Sequence, residues 1–228
     1  MQDEILLTGG RITQGVVRIG NRVHRPQCPN AGFIHAVLNH LAKRNVPFAP
    51  RFWGMDEKQR EILSFMEGDV PGNLGEFSPE QCAAAARIIR ALHSALADFP
   101  GCPEGLTVCH NDLSPCNFTF VDGRPSAVID WDACGFGHPL DDLAYAAWMW
   151  LDVGNDENDP AGVREGIIAM LDAYGAGECS GFCERMRAQM TRVGRGIFPT
   201  EEQTLATRRW TEDCRRWLDG FMKQYPDL

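Results

Sequence analysis

The segment LTVCHNDLSPCNFTFVDGRPSAVIDWDACGFGHPLDDLAY, residues 106–145, decides the fold of this chain. Two β-prone runs, 118–121 and 126–129, flank the Asp-Gly pair at 122–123, and such a pair between two such runs is a strong hairpin signal. A third short apolar run, 106–109, precedes a polar loop. The pattern predicts a small antiparallel ribbon with polar loops at one end, where chemistry is often placed.

Three polar side chains fall at the same end of this ribbon. Asn117 precedes the first strand of the hairpin, Asp130 follows the second strand, and Asp112 lies in the loop before them. Carboxylate and amide oxygens are hard donors that suit Mg²⁺, which binds through one or two carboxylates together with substrate phosphates. Asn117 and Asp130 are placed for that role, whereas Asp112 is placed to orient a substrate hydroxyl and accept its proton during phosphoryl transfer.

The order of these residues resembles that of kinases, with His-x-Asp, an Asn five residues after the Asp, and a strand that ends in another Asp. More specifically, the segments CHNDLSPCN (109–117) and VIDWDACGFGHPLDDLA (128–144) resemble the two motifs of the aminoglycoside phosphotransferase family, also called the choline-kinase-like small-molecule phosphotransferases. The resemblance implies roles for five residues: Asp112 as catalytic base, Asn117 and Asp130 as Mg²⁺ ligands, and His110 and Asp142 as supports of the catalytic loop.

Each of these residues also has an ordinary structural interpretation. A single Asp in a turn usually caps a helix or forms an Asx-turn, and Asp141 and Asp142 also suit the negative charge that a helix N-terminus favours. The occurrence of several such residues in this order favours the catalytic interpretation. Asp132 is either a second metal contact or a loop brace, and Ser114 is a further candidate in the first loop.

Length and composition fit a globular protein. The 228 residues are 44% hydrophobic, which suffices for a core and argues against a disordered or fibrous chain. No apolar run is long enough to cross a bilayer and the N-terminus lacks signal-peptide features, so we expect a cytoplasmic protein with no membrane partner. The resemblance implies a two-lobed, protein-kinase-like α+β fold, with a reduced β-rich N-lobe over residues 1–68 and a mostly helical C-lobe over residues 69–228.

The cysteines of the chain do not form a metal-binding pattern. There are nine of them, an odd number without a Cys-x-x-Cys pair, which argues against structural zinc. In a reducing compartment we expect free thiols, several of them in the core.

The charge of the chain is distributed unevenly. Residues 1–60 hold nine Lys and Arg against four Asp and Glu, whereas residues 61–228 hold thirteen against twenty-seven. A basic first part suits nucleotide phosphates, and an acidic remainder attracts a cationic acceptor and repels nucleic acid. The alternative interpretation is a solvated acidic surface without a role in binding.

The N-terminal part has the strand, glycine turn and strand with which a kinase covers nucleotide phosphates. Gly9 and Gly10 form the turn, although two adjacent glycines near an N-terminus more often form an ordinary hairpin turn, and the full Gly-x-Gly-x-x-Gly pattern is absent. In the resembled family the second strand of the next hairpin carries a phosphate-binding Lys, which this chain lacks. We expect Arg25 to replace it, with Arg18 as the alternative.

Helical spacing of apolar residues predicts a helix over 31–44, where the family has a Glu that pairs with the strand Lys. No acidic residue occurs in that segment, so the ion pair is either missing or rebuilt from other residues. His35 and His40 of this helix are expected to be surface or helix-packing residues rather than ligands. The resemblance also implies that the linker after the last N-lobe strand contacts the nucleotide base through Phe65, Met66 and Glu67.

The rest of the chain is predicted to be mainly helical, with tryptophans that supply packing. A long helix begins after the N-cap Ser78, with Pro79 at its first position and Gln81 completing a capping box. Four later helices are predicted near 139–152, 161–175, 181–194 and 200–223.

The leading interpretation is an Mg²⁺-dependent enzyme that transfers a phosphoryl group from ATP, or GTP, to a hydroxyl of a small, cationic acceptor. A second interpretation is a catalytically impaired pseudokinase that binds nucleotide and serves as a regulatory module, which the missing Lys and Glu favour. A third is a metal-dependent hydrolase that uses the same carboxylates. The two complete motifs, with Asp112, Asn117 and Asp130 intact, favour the enzyme that phosphorylates a small molecule.

Overall fold

The computed structural model of the protein describes residues 3–7, 15–75, 77–177 and 180–228. Its first part consists of five short strands and one helix, and its second part is mainly helical. The predicted α+β class is therefore confirmed. The elements of the first part are β1 (Ile5–Leu6), β2 (Val17–Ile19), β3 (Arg22–Arg25), α1 (Ala31–Lys43), β4 (Phe52–Met55) and β5 (Glu61–Ser64).

The five strands form one antiparallel sheet in the order β1-β2-β3-β5-β4. A tight turn at Gly20 joins β2 to β3, and Gly20 has a φ of +59°, which glycine adopts without steric cost. The β3–β5 register places Arg25 directly opposite Glu61. The apolar side of α1 includes Ile34 and Leu38, which are buried in the core.

The second part begins with the predicted capped helix, in which the Ser78 hydroxyl and the Gln81 side chain form a capping box. Two short antiparallel ribbons and four helices follow it. The elements are α2 (Pro79–Leu96), β6 (Thr107–Cys109), β7 (Phe118–Val121), β8 (Arg124–Val128), β9 (Gly135–Gly137), α3 (Pro139–Trp150), α4 (Pro160–Tyr174), α5 (Phe182–Gly194) and α6 (Glu201–Gln224).

One ribbon is the predicted hairpin, whereas the other was not predicted from the sequence. Strands β7 and β8 pair around the Asp-Gly turn at 122–123, whereas β9 returns to pair with β6, with Thr107 opposite Gly137. The sequence Gly-Phe-Gly has little strand propensity, and only the fold brings it beside β6. Gly137 lies so close to Cys109 that an added Cβ would approach its Sγ to 3.0 Å.

The core of the second part lies between α2, α3, α4 and the β7–β8 ribbon. Trp148 and Trp150 of α3 are almost completely buried, and the Trp150 ring meets the edge of Phe118 with ring centroids 5.0 Å apart. Trp148 stacks on Trp210 of α6 at 4.8 Å. These contacts confirm that the tryptophans supply packing.

The cysteines of the described residues agree with the expectation of free thiols. The eight cysteines outside the gap at 178–179 are free, and five of them are buried. Within the described ranges, the helices are all too short or too polar to cross a lipid bilayer.

The packing of α2 leads to a stability prediction. Ile89 is 0% exposed in the core, whereas Ile197 is 91% exposed in the segment between α5 and α6. We expect Ile89→Ala to lower the free energy of unfolding by about 2–5 kcal/mol because it removes buried methyl groups and leaves a cavity. The matched Ile197→Ala change should stay within about 0.5 kcal/mol of the unsubstituted protein. Urea unfolding followed by circular dichroism measures both values, and equal effects would contradict the assignment of the core.

Candidate active site

The predicted catalytic loop runs from the end of β6 into a single 3-10 turn at Pro115–Asn117. Asn111 in this loop has a φ of +65°, a left-handed conformation that Asn tolerates better than most residues. Its side-chain amide donates to the carbonyl oxygen of Ala133 at 3.0 Å. Ser114 accepts a backbone hydrogen bond from Asn117 at 2.9 Å, which closes the turn.

Asp142 holds the beginning of this loop from the first turn of α3. Its carboxylate is 2% exposed and accepts hydrogen bonds from the backbone N–H groups of His110 at 2.7 Å and Asn111 at 2.8 Å. The His93 ring contributes Nε2 at 3.1 Å. Burial alone would raise the pKa of Asp142, but its hydrogen bond and charge interaction with His93, together with His110, outweigh burial and keep that pKa below its usual value.

His110 is fixed by its side chain as well as its backbone. Its Nε2 donates to the carbonyl oxygen of Ile129 at 3.0 Å, and the ring meets the edge of Trp131 with centroids 4.9 Å apart. Because a carbonyl oxygen only accepts, Nε2 carries the proton in this arrangement. The bond connects the catalytic loop to the strand that ends at Asp130.

Asp112 and Asn117 are in direct contact. The Asn117 side-chain nitrogen donates to the Asp112 carboxylate at Oδ2, 2.9 Å away, and to the Asp112 carbonyl oxygen, 2.8 Å away. The hydroxyl of Tyr145 donates to the other carboxylate oxygen, Oδ1, at 2.6 Å. With its nitrogen turned to Asp112, Asn117 has its side-chain oxygen left for a cation.

Asp130 lies beside Asn117 at the end of the ribbon, as predicted. The backbone N–H of Ile129 donates to the Asn117 carbonyl at 2.9 Å, which joins the two polypeptide segments. Asp130 itself has a φ of +61°, and its side chain is 50% exposed. Partial removal from water and the charge of Asp132 raise the pKa of Asp130, while Arg25 acts in the opposite direction. The carboxylate thus sits in a locally negative environment.

Arg25 connects the N-terminal sheet to this carboxylate. Its Nε donates to Glu61 at 2.5 Å and its Nη1 to Asp130 at 3.3 Å, and its Nη2 forms an ion pair with Asp132. Burial alone would lower the pKa of Arg25, but the charges of Asp132 and Glu61 outweigh it and raise that pKa, so Arg25 stays cationic. Asp132 thus pairs with Arg25, and its assignment as a loop brace or as a second metal contact stays a prediction.

Glu61 and Arg25 form an ion pair in place of the expected Lys–Glu pair. Glu61 is 1% exposed and also contacts Nε2 of His35 at 2.6 Å through its second oxygen. The acidic residue therefore comes from β5 and not from α1, and His35 occupies the helix. The His35 ring stacks on the Phe52 ring with centroids 3.6 Å apart, as expected for a packing residue. Its contact with Glu61 was not expected.

The carboxylates around Arg25 carry more negative charge than Arg25 neutralises, so the site can accept a further cation. Three carboxylates, Glu61, Asp130 and Asp132, surround one guanidinium, and Asp112 adds a further negative charge that acts on Asp130. Carboxylate and amide oxygens of this kind are the ligands that Mg²⁺ prefers. The donor set formed by Asp130 and Asn117 therefore fits the metal that the resemblance implies.

The predicted linker is contacted by Arg18, the alternative phosphate ligand. The Arg18 guanidinium lies 3.5 Å from the centroid of the Phe65 ring and donates to Glu67 at 3.0 Å. Met66 accepts a weak bond from the Ser64 hydroxyl through its sulfur at 3.7 Å. Arg18 thus contacts the linker at Phe65 and Glu67. The predicted turn residues Gly9 and Gly10 lie outside the described residues.

Sequence reasoning missed three residues that contact the site. Glu61 can be found from the antiparallel register of β3 and β5, since it lies opposite Arg25. Tyr145 lies three residues after Asp142 on α3, a spacing that puts both on one helix face. Arg192 gives no sequence signal, yet its Nη2 donates to the Asn111 carbonyl at 3.1 Å and its guanidinium lies 5.6 Å from the centroid of the Tyr145 ring.

The segment that contains this site matches a known protein family. Residues 103–181 match the model of the phosphotransferase enzyme family (APH), and both sequence motifs lie in this segment. The chain is also similar to the trifolitoxin immunity protein of Rhizobium leguminosarum bv. trifolii, with 33% identity over 173 residues. That alignment covers 69% of this chain and 66% of the relative, so it spans slightly less than two thirds of the relative's length.

Solved structures share the fold at low sequence identity. A candidate aminoglycoside phosphotransferase from Ralstonia eutropha JMP134 superimposes with a TM-score of 0.65 at 17% identity, covering 98% of this chain and 94% of that one. Amicoumacin kinase, in complex with AMP-PNP, Ca²⁺ and Ami, gives a TM-score of 0.67 at 10% identity, covering 93% and 88%. The segment 103–181 thus matches the phosphotransferase enzyme family, and the predicted two-lobed kinase-like fold is confirmed.

The burial of Asp142 predicts a pH-dependent stability. At pH 7 we expect Asp142→Asn to lower the free energy of unfolding by about 2–4 kcal/mol, because an amide nitrogen would face the loop N–H groups. Since the folded-state pKa of Asp142 is below the unfolded value of 3.8, its contribution is complete above that pH and declines as the pH falls further. The difference between the two proteins should therefore shrink below about pH 4.

The neighbouring residue supplies the control for this measurement. Asp141 is 39% exposed and pairs with Arg185 at 2.6 Å. Asp141→Asn should cost less than about 1 kcal/mol, as is usual for an exposed ion pair. Urea unfolding at a series of pH values measures both variants. A loss for Asp142→Asn no larger than that for Asp141→Asn would contradict the assigned role of the buried carboxylate.

Proposed function

We propose that this protein is a phosphotransferase that moves the γ-phosphoryl group of ATP, or of GTP, to a hydroxyl of a small molecule in the presence of Mg²⁺. The observation that carries the proposal is the convergence of Asp112, Asn117 and Asp130 at one ribbon end, beside a cationic Arg25 from the facing sheet. The match of residues 103–181 to the phosphotransferase enzyme family supports it, as does the fold shared with amicoumacin kinase, whose solved complex contains AMP-PNP and Ca²⁺. Because ATP and GTP are abundant in the cytoplasm, we propose that location for the protein.

In this proposal Asn117 and Asp130 hold the metal ion, which when bound neutralises charge on the phosphates. Asp112 accepts a hydrogen bond from the acceptor hydroxyl and orients its oxygen toward the γ-phosphorus. The new P–O bond forms at that oxygen while the bond to the β-phosphate oxygen breaks and ADP leaves. The hydroxyl proton passes to Asp112. Positioning and charge stabilisation therefore account for catalysis without a covalent enzyme intermediate.

Arg25 contributes the positive charge of the N-lobe. We propose residues 1–68 and 69–228 as the two lobes, with the nucleotide in the cleft between them. Glu61, which His35 also contacts, fixes the Arg25 guanidinium at this cleft. When nucleotide enters, Arg25 can exchange its more accessible partners Asp130 and Asp132 for phosphate oxygens and keep the buried Glu61. A guanidinium suits this exchange because it binds oxygen anions in pairs.

The acceptor is proposed to carry positive charge. From Pro100 to Glu178 the sequence holds fourteen Asp and Glu against two Arg, so the segment around the ribbon end is strongly acidic. Such a field attracts cations and raises their local concentration. An amine-bearing alcohol or sugar meets this condition and also offers the required hydroxyl.

A second candidate function comes from the curated relative. The trifolitoxin immunity protein is 33% identical over 173 residues, and under this second hypothesis the chain protects a cell from a toxin by phosphorylating it or by binding it. Binding alone corresponds to the pseudokinase interpretation. The two routes differ in their need for Asp112, because only transfer uses that carboxylate as a base.

The role of Asp112 predicts a selective loss of transfer. We expect Asp112→Asn to lower the rate of ADP formation from MgATP, with a panel of hydroxylated amines as acceptors, by about 10²–10⁴-fold. Affinity for MgATP should stay within about twofold, since the residue does not hold the metal. Asp122→Asn, in the hairpin turn that tolerates Asn, is the control and should keep full activity. Undiminished transfer by Asp112→Asn would mean that another group is the base.

The role of Arg25 predicts a loss of nucleotide binding. We expect Arg25→Ala to weaken ATP binding at least about tenfold because it removes the buried cation nearest the metal site. The change also breaks a buried ion pair, so Arg25→Lys, which keeps the charge, serves as a second variant and should bind ATP between the two extremes. Thermal unfolding verifies that each variant is folded. A loss of ATP affinity caused only by Arg18→Ala would transfer the phosphate role to Arg18.

A further inference from the structure

Helix α3 contacts the catalytic loop through three of its residues. Asp142 binds the first two N–H groups of the loop, Tyr145 binds the side chain of Asp112, and Trp150 donates through Nε1 to the carbonyl oxygen of Leu113 at 3.2 Å. Each contact comes from the buried part of the helix. One rigid element therefore sets both the path of the loop backbone and the direction of its carboxylate.

The contact between Tyr145 and Asp112 is short and has a defined direction. The O···O distance of 2.6 Å falls in the range of a hydrogen bond to a charged acceptor. Burial and the charge of Asp112 raise the pKa of Tyr145 well above 10, so the phenol keeps its proton and donates it. The Tyr145 residue is 7% exposed, which leaves little room for an alternative position.

A second donor fixes the other oxygen of the same carboxylate. Asn117 reaches Oδ2 while Tyr145 reaches Oδ1, so rotation of the Asp112 carboxylate about its last side-chain bond breaks both bonds. Each carboxylate oxygen can accept two hydrogen bonds, so each keeps one acceptor site for an incoming hydroxyl. Reactive groups that are held in the productive direction before substrate arrives lower the entropic cost of reaction.

Helix α5 holds Tyr145 from its other side. The Arg192 guanidinium lies over the Tyr145 ring at 5.6 Å, while its Nη2 bonds to the carbonyl of Asn111, the residue before Asp112. Gln189 accepts from Arg192 Nε at 2.8 Å and fixes the guanidinium. The phenol is thus enclosed between the catalytic loop, its own helix and α5.

We propose that Tyr145 is a positioning residue for phosphoryl transfer, whose hydroxyl, together with Asn117, fixes the Asp112 carboxylate in the direction that receives the acceptor hydroxyl. The inference rests on the proposed function, because it deepens the role of Asp112. Tyr145 acts through Asp112 and takes no proton from the substrate.

The test uses Tyr145→Phe, which removes one oxygen and keeps the ring. The probe reaction is ADP formation from MgATP with water as acceptor, together with the hydroxylated amine that gives the fastest transfer. Tyr225→Phe is the matched control, because its hydroxyl lies at the end of α6 and contacts Gln224. For each protein kcat, KM for MgATP and the thermal unfolding midpoint are measured.

We expect Tyr145→Phe to lower kcat at least about tenfold, with KM for MgATP within about twofold of the unsubstituted protein and Tyr225→Phe unchanged in all three quantities. In the Asp112→Asn background the same substitution should have no further effect on kcat, because the group that it positions is already impaired. A kcat within twofold of the unsubstituted protein would overturn the inference. So would an equal loss in both backgrounds, since it would show that Tyr145 acts independently of Asp112.

A structural measurement separates this inference from the proposed function. Crystal structures of the unsubstituted protein and Tyr145→Phe should differ in the orientation of the Asp112 side chain, whether or not the protein is an active enzyme. An unchanged Asp112 in the variant overturns the positioning role. Failure of the unsubstituted protein to bind nucleotide or form ADP, with a reoriented Asp112 in the variant, would instead count against phosphotransfer alone.

Discussion

The Asp142 carboxylate carries a negative charge that is almost completely removed from water, and the N–H groups of His110 and Asn111 and the His93 ring hold it there. Such a charge is costly to bury unless nearly all of its acceptor capacity is used. His93 in turn bonds to the Tyr174 hydroxyl at 2.9 Å. The interaction therefore joins α2, α3 and α4 to the start of the catalytic loop, from which the chain continues to Asp112.

The N-terminal sheet meets this loop through a different cation from the one expected. A lysine ammonium is a compact charge, whereas the planar guanidinium of Arg25 contacts Glu61, Asp130 and Asp132 at once. The acidic partner comes from strand β5, directly across the sheet, so the ion pair does not depend on the position of α1. The N-terminal part thus keeps a buried charge pair at the cleft although both of the family's usual residues are absent.

Local patterns explain why some of the site could be predicted. The Asp-Gly turn fixes the hairpin, and the hairpin fixes Asn117 and Asp130 at one end, because their separation follows from a few residues of chain. Glu61, which pairs with Arg25 through the register of two strands, is 36 residues away from it in sequence. Such contacts are decided by the packing of distant elements, and a motif does not encode them.

The same limit applies to the second ribbon and to Arg192. Strand β9 has a Gly-Phe-Gly sequence with little propensity to form a strand, and it exists only because β6 is beside it. In the sequence Arg192 cannot be distinguished from other arginines of an amphipathic helix. Only the packing of α5 brings it to Asn111 of the catalytic loop, 81 residues earlier in the chain. Helix limits, by contrast, follow from caps and periodic apolar residues, and the predicted helices agree with α1 to α6 within a few residues.

The central claim is that the ribbon end and Arg25 together form a metal-dependent nucleotide site, and isothermal titration calorimetry of the unsubstituted protein tests it most directly. ATP and then GTP are titrated in the presence of Mg²⁺ and again with EDTA in its place. The account predicts micromolar binding of at least one nucleotide with Mg²⁺ and an affinity at least about tenfold lower without it, a difference of about 1.4 kcal/mol. Absence of binding by both nucleotides, or equal affinity in EDTA, would contradict the account.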